Sequence, residues 1–195
     1  METSRLLGAS SIKLLAIRVV LISFMAITIS GCASMLRIDG PYEGKVIDSV
    51  TKQPVEGAVV HGTWYKVQLG GAHEYYDSYE VLTDKNGKFK IPGKGLLVLS
   101  EIEGMTLIIF KEGYKQWTPN LWSGLREGKW ADEEVVWNGN RGTFKLQPMT
   151  MEARKKRGID LPLSVPDKKQ RLLRNEYNKE MIGAKRTTTP VFPEE

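Results

Sequence analysis

Between residues 41 and 149 the chain consists of short runs of β-branched and aromatic residues broken by Gly, Pro, Asn and Asp, a pattern that restricts it to an all-β fold. Gly44-Lys-Val-Ile-Asp48 reads as a strand, and Thr51-Lys-Gln-Pro54 carries turn chemistry, since proline fixes φ and a threonine hydroxyl bonds the local backbone. Val55–Val60 is a second apolar run, in which Gly57 and Ala58 leave room for a neighbouring strand. Glu80–Thr83, the turn Asp84-Lys-Asn-Gly87 and the alternating Lys88-Phe-Lys-Ile91 predict a hairpin with one buried face. Met105–Phe110 is apolar almost throughout and is expected at the centre of a sheet, while Arg141–Gln147 alternates and closes the domain. Short strands, regular turn signals and no helical period predict a sandwich or barrel.

Four pieces of this region carry a resemblance: Gly44-x-Val46; Gln53-Pro54-Val55-x-Gly57-Ala58-x-Val60; Thr83-Asp84-x-x-Gly87-x-Phe89-x-Ile91-Pro92; and Lys111-x-Gly113-Tyr114. In this order they resemble the carboxypeptidase regulatory-like domain. The resemblance covers residues 41–149 and implies a transthyretin-like, Ig-like β-sandwich of about seven strands. It implies a module and not an activity, because that domain is an accessory folding or positioning unit beside an enzyme. The same sandwich family includes hydroxyisourate hydrolases, but neither a His-rich strand nor a Tyr-Arg-Gly-Ser terminus is found here. Two stretches depart from the pattern. Residues 61–79 read as a long aromatic connection, and residues 115–140 as an aromatic-rich insertion before the last strand.

The N-terminal part is set apart from the fold. Arg5, Lys13 and Arg18 precede the apolar run Val19–Ile29, which is signal-peptide length and short of the roughly 20 residues a spanning helix needs. Ile29-Ser30-Gly31-Cys32 then resembles the lipobox of bacterial lipoproteins. Small residues let a peptidase reach the backbone, and the cysteine thiolate takes the diacylglyceryl group. Cys32 is the single cysteine, so no intramolecular disulfide forms, and acylation with palmitate-type chains explains a lone thiol in an exported protein. The resemblance implies a signal peptide at 1–31 and a lipidated tether at 32–40. Extended, the eight residues after Cys32 reach roughly 26–29 Å, which holds the folded part near its membrane. Ala33 and Ser34 follow the cysteine where an aspartate would retain the protein at the inner membrane, which favours the outer one.

The precursor carries a net charge of +5, and loss of Arg5, Lys13 and Arg18 against Glu2 leaves a milder excess. No nucleic-acid partner is expected from it.

Catalytic chemistry finds little to work with. His61 and His73 are the two histidines, and a metal site built on His73, Glu74 and Asp77 is short of ligands, so no metal or other cofactor is expected. Asp84-Lys-Asn86-Gly87 starts like a calcium loop, but Lys88 and Gly95 stand where the fifth and twelfth ligands belong. Ser49, Ser78, Ser100 and Ser123 lie in no nucleophile elbow. Glu101 with Glu103, and Asp132-Glu-Glu134, are sequence neighbours that a strand points to opposite faces or leaves solvated. No catalytic residue is assigned.

The aromatics supply the candidate contact residues: Trp117, Trp122, Trp130 and Trp137 between the last two strands, and Tyr75, Tyr76 and Tyr79 in the other long connection. Flat rings stack on sugars and anchor protein interfaces at little entropic cost, but they also fill small cores. The C-terminal extension, 150–195, holds the basic cluster Arg154-Lys-Lys-Arg157, which reads as a solvated loop or a contact with anionic headgroups. A helix is expected over 164–183, capped by Ser164, with Pro166 in its first turn and Gly183 at its end. Leu172, Leu173, Tyr177, Met181 and Ile182 form its apolar stripe, and Thr187–Glu195 is expected as a mobile tail. The expectation is a noncatalytic envelope lipoprotein, membrane-bound through its lipid, that binds or scaffolds a protein partner. The alternatives are a glycan receptor and a hydrolase with an unrecognised site.

Overall fold

The computed structural model describes residues 18–19, 36–68, 70–118, 129–131 and 135–192. Cys32 and Trp122 lie outside them, as does the apolar run beyond Val19. The fold is predominantly β. In order the strands are β1 (Leu36–Asp39), β2 (Tyr42–Asp48), β3 (Val59–Val67), β4 (His73–Leu82), β5 (Lys88–Ile91), β6 (Gly95–Val98), β7 (Thr106–Phe110), β8 (Lys129–Ala131), β9 (Val135–Asn138) and β10 (Arg141–Leu146). Helices α1 (Met151–Lys156) and α2 (Arg171–Gly183) follow, with a 3-10 turn at Asp167–Lys169.

Two sheets share one core. The five-stranded sheet has the order β5-β2-β10-β9-β8, with β2 and β10 parallel, and the three-stranded sheet has the order β4-β3-β7. Inward side chains alternate along each strand: Tyr42 and Val46, Val60 and Trp64, Phe89 and Ile91, Leu107 and Ile109, Val135 and Trp137, Phe144 and Leu146. Phe144 is the hub, with ring centroids of Trp117, Trp137 and Phe89 at 4.8, 5.6 and 5.9 Å. A separate two-stranded ribbon pairs β1 with β6. Residues 36–39, expected as tether, therefore form a strand.

Several expectations are corrected by the pairing. The turn at Asp84 forms as expected: its carboxylate accepts from the amides of Asn86 and Lys88, and Gly87 sits at φ 72°. It is not a hairpin, however. β4 pairs with β3 and β5 with β2, so the turn carries the chain from one sheet to the other. Turn chemistry reports the reversal of direction and not the identity of the partner strand. Residues 61–79, read as a connection, are most of a real hairpin of β3 and β4. β7 is the edge of its sheet, and β3 is the centre. Part of the 115–140 segment belongs to the core: β8 and β9 extend the five-stranded sheet, and Trp117 exchanges backbone hydrogen bonds with Ile109 at 2.9 Å.

A third layer explains why β3 and β7 are buried on both faces. Val59, Ile108 and Phe110 point away from the main core and pack against Leu173 of α2, with Ile159, Leu161 and Leu172 around them. α2 begins later than expected. Gln170 stands at its N-cap without a side-chain capping bond, and Ser164 plays no capping part. Glu80 of β4 does the capping instead, accepting from the amides of Leu172 and Leu173 at 2.8 and 3.0 Å.

The face that α2 buries is only partly the expected apolar stripe. Leu173 is fully buried, but Ile182 is exposed, and Glu176 and Glu180 are buried in its place. Glu176 accepts from the Glu112 amide at 2.8 Å, and Glu180 from the Gly113 amide at 2.9 Å. Glu180 also takes a forked pair of bonds from Arg154 and pairs with Arg157 at 3.3 Å. The bond to Glu180 holds the Arg154 guanidinium above its usual range, whereas burial pushes Arg157 down. The basic cluster is thus neither a loop nor, for its two arginines, a free surface. It lies on α1, opened by Thr150, whose hydroxyl accepts from the Ala153 amide at 3.3 Å. Residues 187–192 are not a loose tail either: Asn178 bonds Val191 and Phe192, and Phe192 meets Tyr177 edge-on.

Asp39 ties the two sheets together. Its buried carboxylate accepts from the Tyr42 hydroxyl at 2.6 Å, the Trp64 indole at 2.9 Å and the Lys94 amide at 2.9 Å. Next to it the backbones of Gly40 and Gly93 cross so closely that a Cβ on Gly40 would lie 2.7 Å from the Gly93 Cα.

Two stability predictions follow from these buried carboxylates. Asp39→Ala leaves three buried donors unpaired and should cost at least about 3 kcal/mol, whereas Asp39→Asn, which keeps one acceptor, should cost about 1–2 kcal/mol. Glu180→Gln takes from Arg157 its carboxylate and leaves Arg154 only Glu112, and should cost about 3–5 kcal/mol. Lys156→Gln, which opens only the exposed pair with Glu152, should cost less than about 0.5 kcal/mol. Urea unfolding midpoints at unchanged slope measure all four.

Candidate functional site

The expected contact residues do not come together. Trp117 and Trp137 are 5% and 2% exposed and occupied on their faces by Phe144 and Tyr42. They are core residues, the one of the two readings open from sequence that leaves them no contact role. Trp130 lies on β8, and its side chain, like all of Trp122, is outside the description. Tyr75 is half-buried, with its hydroxyl 3.1 Å from the Ser78 hydroxyl. Tyr76 and Tyr79 remain, at 40% and 45% exposure.

These two tyrosines sit on β4, the edge of the three-stranded sheet, beside a break in its register. Trp64 is opposite Asp77 and Tyr65 is opposite Tyr75, so Tyr76 has no partner in the ladder. Such a bulge re-aims the side chain it carries. The Lys66 ammonium lies 4.8 Å from the Tyr76 ring centroid. Lys94 lies 4.3 Å from the Trp64 ring and 5.7 Å from that of Tyr76. Asp77 holds this cation in place: it takes Lys94 at 2.5 Å and Lys169 at 2.9 Å. Burial would raise the Asp77 carboxyl, but hydrogen bonds from the two lysines outweigh it and hold the group at about 2. The result is a strip of two exposed tyrosines and two ordered lysines around one fixed carboxylate. Nothing in it is arranged as a nucleophile with its base. It presents flat ring area and directed positive charge, which suits recognition.

A second constellation has the geometry of an acyl-transfer relay. His61 Nε2 is 2.9 Å from the Thr63 hydroxyl, and Nδ1 is 3.2 Å from a Glu80 oxygen. The order hydroxyl, imidazole, carboxylate is that of a triad. Access is what it lacks. His61 is fully buried and Thr63 is 3% exposed. Glu80 is already committed to capping α2. All groups are satisfied when His61 donates to Glu80 and accepts from Thr63, so the trio fastens α2 to the sheet. The sequence reading missed it. The one available signal was the His-x-Thr spacing, which places both side chains on one face of a strand.

On the five-stranded sheet an open groove is lined by Glu43, Lys45, Val81, Leu82, Lys88 and Arg141 among others. Lys45 stands directly opposite Lys88, and Glu43 serves both Lys90 at 2.9 Å and Arg141 at 3.4 Å. Among the described residues no group of three or more metal-ligating side chains converges. His73 pairs with Glu103 at 2.9 Å instead. No described helix is long and apolar enough to cross a membrane.

Comparison with known proteins adds nothing that bears on function. No family model matches the chain, and no curated protein does. Among solved structures, the chain is similar to the crystal structure of a 9R-lipoxygenase from Cyanothece PCC8801, at 11% identity and a TM-score of 0.30. That match covers 87% of this chain and 29% of the lipoxygenase. The chain thus spans under a third of that enzyme's length, at a similarity too low to carry an argument about fold or activity.

The Asp77 geometry fixes a pH response. Its carboxyl is depressed by folding, so its contribution is complete above the unfolded value of 3.8 and is lost as pH falls toward about 2. The stability difference between the natural chain and Asp77→Asn should stay level from neutral pH down to about 4 and close between about 4 and 2. Urea unfolding across that range measures it, and a difference that persists at the acid end would mean the lysines do not hold the carboxylate.

Proposed function

We propose that the chain is a bacterial envelope lipoprotein, acylated at Cys32 and placed at the outer membrane. Its transthyretin-like sandwich acts as a noncatalytic module that holds a protein partner close to that membrane. The observation that supports this most is the strip on β4. Tyr76 and Tyr79 are exposed on an edge strand, with Lys66 and Lys94 ordered beside Tyr76. Aromatic rings flanked by fixed cations make good protein contacts, and an edge strand adds backbone groups to them. The relay at His61 is closed to substrate, which leaves recognition as the better use of the exposed chemistry.

The test has two arms. Labelled palmitate should enter the natural chain and fail to enter Cys32→Ser, which checks the anchor. A photo-crosslinking residue at position 79, in native membranes, should capture one recurring protein. Tyr76→Ala with Tyr79→Ala should cut binding of that protein about tenfold or more, as loss of two interface tyrosines does. Adducts that carry only carbohydrate would overturn the protein-partner reading in favour of a glycan receptor.

A further inference from the structure

The two-stranded ribbon carries exposed apolar side chains. Leu36 and Ile38 on β1 are 52% and 74% exposed, and Leu96 and Val98 on β6 are 65% and 56% exposed. Leu99, the next residue, is 69% exposed. By strand alternation Leu36 and Ile38 share one face of β1, and Leu96 and Val98 share one face of β6. Leu36, Ile38, Leu96, Val98 and Leu99 all belong to one compact unit of the chain. An exposed cluster of aliphatic side chains marks a surface built to meet something apolar.

We infer that this ribbon face enters the lipid interface of the membrane that anchors the chain. The inference rests on the proposed acylation of Cys32 and deepens it. Leu36 follows Cys32 by four residue steps. Fully extended they span about 14 Å at most. Acyl chains sunk in the bilayer therefore hold β1 within about 14 Å of the anchored cysteine, a distance comparable to the polar zone of about 5–8 Å on each side of the hydrocarbon. An apolar face confined there is driven into the interface instead of remaining in water. A two-stranded ribbon has open edges whose amides need water, so the backbone stays among the headgroups and the side chains alone reach the acyl boundary. One acyl chain gives only marginal binding, and each further apolar group at the interface adds to it. The ribbon thus acts as a second membrane contact beside the lipid, and it gives the chain an orientation that a single lipid anchor does not.

The experiment uses the acylated full-length chain in vesicles of phosphatidylethanolamine and phosphatidylglycerol. Acylation blocks the thiol of Cys32, so Val98→Cys supplies the single site for an environment-sensitive fluorophore, and Ile38→Cys supplies a second, independent one. The expected result is a blue shift and a several-fold rise in emission at both sites, quenched by spin labels near the glycerol end of the acyl chains. Leu96→Asp should reduce that rise while the protein stays with the vesicles. An acylated protein whose probes remain water-like overturns the inference and leaves the anchor standing. Probes that are shielded but not quenched by lipid labels, with crosslinks between copies, overturn it in favour of a second copy of this chain. Absence of any acyl group on Cys32 by mass measurement overturns the anchor, and this inference with it.

Discussion

The structure depends on one buried carboxylate. Asp39 lies where the chain enters the sandwich, and its three donors come from β2, from β3 and from the segment that leads into β6. β2 belongs to one sheet and β3 to the other, so a single side chain fixes their relative position at this end. Its charge is what makes three bonds to two oxygens possible, because an ionised carboxylate offers acceptor sites only. The same donors lead outward. The backbone of Lys94 binds Asp39, while its side chain lies over Trp64 and reaches Asp77. The exposed strip on β4 is therefore held by the buried bond network and not only by its own strand.

The C-terminal layer follows the same logic with more charge. A helix packed on a sheet is expected to bury aliphatic residues, and α2 buries two glutamates instead. Each carboxylate finds an amide at the Glu112-Gly113 turn, and Arg154 and Arg157 supply the balancing charge. A buried ion network of this kind adds little net stability compared with well-packed aliphatics, but it admits one register only. Sliding α2 by one turn would strand carboxylates, guanidinium groups and the Glu80 cap together. The layer trades strength for position, and the buried outer face of β3 and β7 supplies the hydrophobic part.

The parts of this arrangement legible from sequence are those with a local cause. Alternation marked β2, β5 and β10, and Asp84-Lys-Asn-Gly87 marked its turn, because side-chain direction and positive φ are properties of a few adjacent residues. Strand partners were not legible. The apparent hairpin at 80–91 joins two sheets, since nothing in a turn records which strand each arm will meet. β3 reads as part of a connection because Gly62 interrupts its inward face and the polar His61 and Thr63 on the other face are buried. Glu176 and Glu180 were missed because their partners lie more than sixty residues away along the chain for the Glu112-Gly113 amides. Trp117 and Trp137 illustrate the limit for sites: composition gave ring area, and only packing decided that the rings face Phe144.

What distinguishes the tyrosines that stay exposed from the tryptophans that do not is backbone geometry. In a regular ladder every β4 residue would face a β3 residue, and the sheet would orient Tyr76 by simple alternation. The extra residue opposite the Trp64–Tyr65 step removes Tyr76 from that ladder and brings its ring within reach of Lys66 and Lys94. Two cations near one exposed ring repel each other, and the pairing of Lys94 with Asp77 offsets that repulsion. Bulges of this kind occur where a sheet edge is used to terminate pairing or to aim a side chain. At β4 it does both. It breaks the flatness that would let an arbitrary strand add along the whole edge. It also leaves a defined ring-and-cation surface on that edge.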